Sequence, residues 1–274
     1  MKVAALQMVS ATDLQANLAQ ALELLREAHT QGAELAALPE YFCAMGWRDQ
    51  DKLQLREAFG QGPIQDFLSR AARELQLWIL GGTLPLQADD AQHVLNSSLL
   101  FSPSGECVER YDKIHLFHYD NGRERYAEAA VVQAGTQPVT CDIQSRDGQN
   151  WRLGLSVCYD LRFPELYRQL SARGCDLLLV PSAFTHVTGH AHWEVLLRAR
   201  AIENQAYVLA PAQGGRHETG RRTWGHSMLV DAWGSVQALQ AQGPGLVVGT
   251  LVNGSEIKER REARYLGFLG CCGL

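Results

Sequence analysis

The chain opens the same way twice, and that constrains what it can fold into. Lys2 to Met8 is an apolar run that reads as a strand, and Trp151 to Val157 is another. Each is followed by an amphipathic segment and a second apolar run. In the first unit, Thr12-Asp13-Leu14-Gln15 looks like a capping box, with a stripe at Leu14, Leu18, Leu22 and Leu25. Gly32 closes that helix, and the strand Leu35 to Leu38 runs into Pro39-Glu40. In the second unit, a helix from Pro164 to Arg173 leads through Gly174 to a strand from Asp176 to Val180.

Between the units, Pro63 opens a helix through about Gln76, and Leu77 to Leu80 reads as a strand before Gly81-Gly82. Asn96 to Phe101 and Glu106 to Tyr111 flank Ser102-Pro103-Ser104-Gly105, a hairpin pattern, with Lys113 just beyond. A helix is expected from His192 to Gln205, with Trp193, Leu196, Leu197 and Ile202 as its apolar positions. Tyr207 to Pro211, Ser227 to Asp231 and Leu246 to Val252 are the closing strands. Helical crossovers interrupted by hairpins predict a mixed α/β fold. There is no short-period repeat and no Gly/Pro/Ser-rich linker, so one domain is expected over residues 1–274.

Composition narrows the function classes. A 274-residue chain that is 46% hydrophobic can bury a large core. A net charge of −5 argues against general nucleic-acid affinity. No apolar run of about 18 residues is present, so no membrane span is expected, and the amino terminus reads as a strand rather than a signal peptide. The seven cysteines are irregularly spaced and form no CxxC pair; free thiols suit a reducing cytoplasm. His115 with His118, and His190 with His192, lack the acids or cysteines of an established zinc spacing. Gly214, Gly215 and Gly220 form no phosphate-binding motif after a strand. Neither metal nor cofactor is expected.

Three polar residues stand where strands end: Glu40, Lys113 and Cys158. In sheets with helical crossovers, ligands gather beyond the carboxyl ends of strands. Alone, the Glu or Lys reads as a solvated loop residue, and the cysteine as a small buried apolar side chain. Together they mark a site. Gly154 to Glu165 runs strand, sharp turn, helix, which exposes Cys158 and lets nearby N–H groups face an oxyanion. The thiolate is the attacking species, so its proton must be removed or its pKa lowered. A carboxylate base and a lysine ammonium would do both. No histidine lies in the segment, so papain-like chemistry has no local support.

Leu38-Pro39-Glu40, Tyr111-Asp112-Lys113-Ile114-His115-Leu116 and Cys158-Tyr159-Asp160-Leu161-Arg162-Phe163-Pro164-Glu165-Leu166 resemble the three signature blocks of the nitrilase superfamily, in the family's order. The resemblance runs from Val3 to about Glu256. It implies a four-layer α-β-β-α sandwich, packed into a homodimer or higher homo-oligomer. It implies Cys158 as nucleophile, Glu40 as general base and Lys113 as oxyanion stabiliser, with the Cys158–Tyr159 backbone as a further donor. Glu128 resembles the family's second glutamate.

Pro181 to Phe184 and Thr188 to Ala201 look like the branch that hydrolyses amides of small dicarboxylic acids. Ala212 to His217 and Gly225 to Met228 lean toward deaminated glutathione as substrate, hydrolysed through a thioester with loss of ammonia. The alternative is an omega-amidase acting on 2-oxoglutaramate or 2-oxosuccinamate; a transferase, a nitrile hydrolase and a non-catalytic scaffold are further readings. A carboxylate-bearing substrate needs cations, and Arg162 is the leading candidate. By resemblance Tyr159, Phe184 and Thr188 line the pocket. Arg216, in the Gly- and Arg-rich loop 214–222, is expected to reach the distal carboxylate. The chain departs from the branch in a C-terminal tail from about residue 256, ending with adjacent Cys271 and Cys272.

Overall fold

The computed structural model describes residues 1–252 apart from 121, 123 and 124. The tail from about residue 256, with Cys271 and Cys272, lies outside the described residues. The first half contributes β1 (Lys2–Gln7), α1 (Leu14–Thr30), β2 (Leu35–Ala37), α2 (Asp51–Leu55), α3 (Pro63–Leu75) and β3 (Trp78–Leu80). It continues with β4 (Leu84–Gln87), β5 (Val94–Phe101), β6 (Cys107–Asp112), β7 (His118–Asp120), β8 (Arg125–Ala127) and β9 (Val132–Gln133). The second half contributes β10 (Val139–Gln144), β11 (Asn150–Leu155), α4 (Pro164–Ala172), β12 (Leu177–Leu179) and α5 (His186–Asn204). Then come β13 (Tyr207–Ala210), β14 (Ser227–Val230), β15 (Val236–Gln240) and β16 (Gly245–Thr250).

The strands form an eight-stranded sheet ordered β16-β1-β2-β3-β5-β4, with β6 and β9 also on β5, and a six-stranded sheet ordered β10 to β15. The repeated opening explains the symmetry. β1-β2-β3 and β11-β12-β13 are parallel triplets, each extended by antiparallel neighbours. Period-two alternation sorts the layers. Along β1, Val3 and Ala5 join the core shared with the second sheet, while Ala4 and Leu6 pack with Leu18, Leu25, Phe67 and Leu68 of α1 and α3. α4 and α5 cover the outer face of the second sheet, through Leu170 and Leu197 among others. The result is the expected four-layer α-β-β-α sandwich.

Three local expectations are corrected. The cap of α1 is Asp13, whose carboxylate accepts from Ala16 N–H at 2.7 Å; Thr12 instead donates to Glu218. α5 begins at His186 rather than His192, because Thr185 caps it by accepting from Thr188 N–H. Gly189 does not break this helix. A Cβ there would lie 2.2 Å from Trp224, so glycine allows close packing. Ile202, read as one of the helix's apolar positions with Trp193, Leu196 and Leu197, is exposed, along with Val187 and Val195 of the same helix.

Candidate active site

Glu40, Lys113, Glu128 and Cys158 converge from separate parts of the chain. Each is less than a tenth exposed: 1%, 2%, 6% and 8% respectively. Glu40 follows β2, and its backbone turns tightly against the loop after β3. Gly82 makes that possible: its φ is +51°, and a Cβ there would sit 2.1 Å from the carbonyl oxygen of Pro39. Lys113 follows β6, pinned by its own N–H to the Asn96 carbonyl and by Gly135 N–H to its carbonyl. Glu128 starts a short 3₁₀ turn after β8. Cys158 follows β11 with φ +48°, in the left-handed region that a side-chain-bearing residue enters at a cost. Pro164 then opens α4, so the strand–turn–helix reading of this segment holds.

The charged groups form one buried network. Lys113 Nζ donates to Glu40 Oε1 at 3.0 Å and to Glu128 Oε2 at 2.8 Å. Glu40 Oε2 accepts from Ala183 N–H at 2.9 Å, so the second sheet fixes a carboxylate carried by the first. Glu128 also accepts from Tyr41 OH at 2.7 Å and Phe117 N–H at 2.7 Å. Asn96 Nδ2 donates to Glu40 Oε1 at 3.0 Å, and to Tyr41 OH and Glu128 Oε1 at 3.2 Å. Burial alone would favour neutral forms. It lowers the lysine, but the two glutamates outweigh it and hold Lys113 charged. Burial raises Glu128, but the Lys113 ammonium outweighs it and brings the carboxyl down to about 2. The Cys158 thiol is pushed well above its ordinary value by burial and then by the Glu40 charge, against the opposing pull of Lys113. A neutral thiol therefore rests beside a carboxylate able to take its proton.

A second network locks the blocks around Lys113 and Cys158 together. Asp160 is fully buried and accepts from Tyr111 OH at 2.7 Å, Val157 N–H at 2.8 Å and His115 N–H at 3.0 Å. His115 Nδ1 lies 2.7 Å from the same carboxylate, and the ring stacks on Phe163 at 3.7 Å. Among the described residues, no group of three or more His, Cys, Asp or Glu is placed to hold a metal ion.

The cleft above Cys158 is lined by Glu40, Lys113, Glu128, Tyr159, Arg162, Phe184 and Thr188, all singled out from sequence. Arg162 lies over the rings of Tyr159 (5.7 Å) and Phe184 (5.5 Å) and contacts His192 Nδ1 at 3.3 Å. Arg216 is not in the cleft. It is exposed and bridges Arg222 across a tight hairpin. Neighbouring residues on a hairpin face opposite sides, so Arg221 lines the cleft instead. Sequence reasoning missed Arg221, Tyr41, Lys52 and Asn96. The sequence places Tyr41 beside Glu40, but nothing in it marks Asn96 or Lys52. The Cys158 N–H is taken by the Pro181 carbonyl at 3.0 Å, so it is not the extra oxyanion donor.

Known proteins resemble this chain in sequence and in fold. The carbon–nitrogen hydrolase family profile matches residues 2–258. A deaminated glutathione amidase from Synechocystis sp. is 43% identical over 261 residues, covering 94% of each chain. The crystal structure of the Caenorhabditis elegans NitFhit protein superposes with a TM-score of 0.84 at 37% identity, covering 97% of this chain and 63% of that one. Saccharomyces cerevisiae Nit3, a member of branch 10 of the nitrilase superfamily, superposes at 0.83 with 28% identity, covering 96% and 93%. The chain therefore belongs to the carbon–nitrogen hydrolase family of the nitrilase superfamily, hydrolases that act on amides.

Proposed function

We propose that the chain hydrolyses the 2-oxoglutaryl amide of deaminated glutathione, a metabolite-repair reaction, with Cys158 as nucleophile. The observation that carries this reading is the buried meeting of Cys158, Glu40 and Lys113 at the floor of a cleft walled by Lys52, Arg162 and Arg221. Glu40 takes the Cys158 proton as sulfur attacks the amide carbon. Lys113 and the Tyr159 N–H hold the oxyanion, and Glu128 keeps Lys113 in place. Glu40 returns the proton to the departing nitrogen, leaving a thioester. It then deprotonates water, which attacks the thioester to release the acid and restore the thiol. No cofactor enters.

The leaving group differs from the sequence expectation. The amides of deaminated glutathione are secondary, so cleavage of the 2-oxoglutaryl amide expels cysteinylglycine. Ammonia leaves only from a primary amide such as 2-oxoglutaramate.

Asp49 also lines the cleft and holds Lys52 at 2.8 Å, and the two guanidiniums Arg162 and Arg221 suit a substrate with a carboxylate at each end. We assign the oxo-acid end to Arg162 and the distal carboxylate to Arg221, with Tyr159, Phe184 and Thr188 packing along the substrate. The exposed Val187, Val195 and Ile202 of α5 support a homodimer through this helix. Cys43, Cys107, Cys141, Cys158 and Cys175 carry thiols rather than disulfides, which suits the cytoplasm.

The test compares kcat/KM on deaminated glutathione and 2-oxoglutaramate, reading the 2-oxoglutarate that both release. Deaminated glutathione should be preferred. Arg221→Glu should weaken its turnover far more than that of 2-oxoglutaramate, and Arg216→Glu should change neither. A wild-type preference for 2-oxoglutaramate would move the protein to the omega-amidase reading.

A further inference from the structure

Asn96 sits on β5 at 3% exposure and touches every charged member of the network around Cys158. Its carbonyl accepts the Lys113 N–H at 3.0 Å, and its side-chain nitrogen donates to Glu40, Glu128 and Tyr41. The Tyr41 hydroxyl spends its own proton on Glu128, so it can only accept from the amide. That fixes the amide orientation, with nitrogen toward the carboxylates.

We infer that Asn96 is a positioning residue of the reaction, a neutral donor that clamps the Glu40 and Glu128 carboxylates around Lys113 while leaving their surplus negative charge intact. This inference builds on the amidase reading above. Two carboxylates and one ammonium sum to a net charge of −1, and that surplus is what accepts the thiol proton. Like charges so close repel; Lys113 Nζ reaches both Oε1 atoms, at 3.0 Å and 3.1 Å, and Asn96 Nδ2 is a second donor to the same two atoms. A cation at position 96 would cancel the surplus and weaken the base. A carboxylate there would add a third like charge, forcing one acid to hold a proton. An amide supplies N–H donors and no charge, and glutamine would place them one methylene too far. Also around this cluster, among the described residues, are the Cys158 thiol, the Tyr41 hydroxyl, the Arg221 cation, and the Lys52 cation with its partner Asp49 at 2.8 Å.

The experiment is the pH dependence of kcat and kcat/KM for the full chain, wild type beside Asn96→Asp and Asn96→Ala, reading 2-oxoglutarate from both amides. Asn96→Asp should lose about 100-fold in kcat at neutral pH, and its acid limb should move up by about one pH unit or more. Raising the pH should recover part of that loss, which a merely damaged fold would not do. Asn96→Ala should lose about tenfold in kcat with KM nearly unchanged, and its acid limb should move the same way by less. Should the Asp variant not fold, the Ala variant carries the same reading. An acid limb unmoved in the folded variants, or near-wild-type kcat in Asn96→Ala, would overturn the role of Asn96 alone. A wild type that hydrolyses neither amide would overturn the amidase reading and this inference with it.

Discussion

Glu128→Gln removes one charge from the buried network while changing little volume. Burial raises this carboxyl, yet the Lys113 ammonium, then Lys52 and the Phe117 N–H, bring it from an ordinary 4.5 to about 2. At roughly 1.4 kcal/mol per pH unit, that difference amounts to about 3 kcal/mol of stability at neutral pH. The folded value is the lower one, so this stability is complete above the unfolded value of 4.5 and is lost as pH falls through about 2. Glutamine mimics the uncharged acid and lacks this contribution at every pH. It also turns an N–H₂ toward Lys113, a cost that does not vary with pH. Guanidinium unfolding of both proteins should therefore show a gap of about 3 kcal/mol or more at neutral pH. The gap should narrow by about 1 kcal/mol near roughly pH 3.5, where the wild-type advantage has begun to fade. A gap below about 1 kcal/mol at neutral pH, or one that stays constant into acid, would rule out this role for the Glu128 charge.

Cys158→Ala should abolish amide hydrolysis while leaving the thermal melt close to wild type. Cys43→Ala should keep most activity, because Cys43 faces the Thr83 carbonyl at 3.8 Å and burial pushes its thiol up to about 12. Lys113→Ala and Glu40→Gln should each lower kcat by about 100- to 1,000-fold, and stopped assays on the double variant should show that the losses do not multiply. Gly82→Ala should cost well over 1 kcal/mol in denaturant unfolding and lower turnover, through the 2.1 Å approach to the carbonyl just before Glu40. Gly148→Ala, at φ +82° with nothing within 4 Å, bears only the backbone cost and should leave kcat alone.

The repeated strand–helix–strand openings, the hairpin at Ser102 to Gly105, and the three strand-end residues Glu40, Lys113 and Cys158 can all be read along the chain. These are legible because periodicity, turn residues and short motifs are properties of near neighbours. Features that need distant partners emerge only on folding. β10 and β15 were not read from sequence because they lie at sheet edges, where exposed faces blur the apolar alternation, and β4, buried from Leu84 to Leu86, was hidden by Pro85. α5 extends back to His186 because Thr185 caps it and Trp224 fills the space left by Gly189. Arg221 rather than Arg216 enters the cleft because hairpin register sorts the two to opposite sides. The clamp on Glu40 joins residues 56 positions away at Asn96 and 143 away at Ala183. No local pattern encodes such a pairing. It exists only because packing one sheet on the other brings strand ends together, and because buried polar groups must find partners there rather than water.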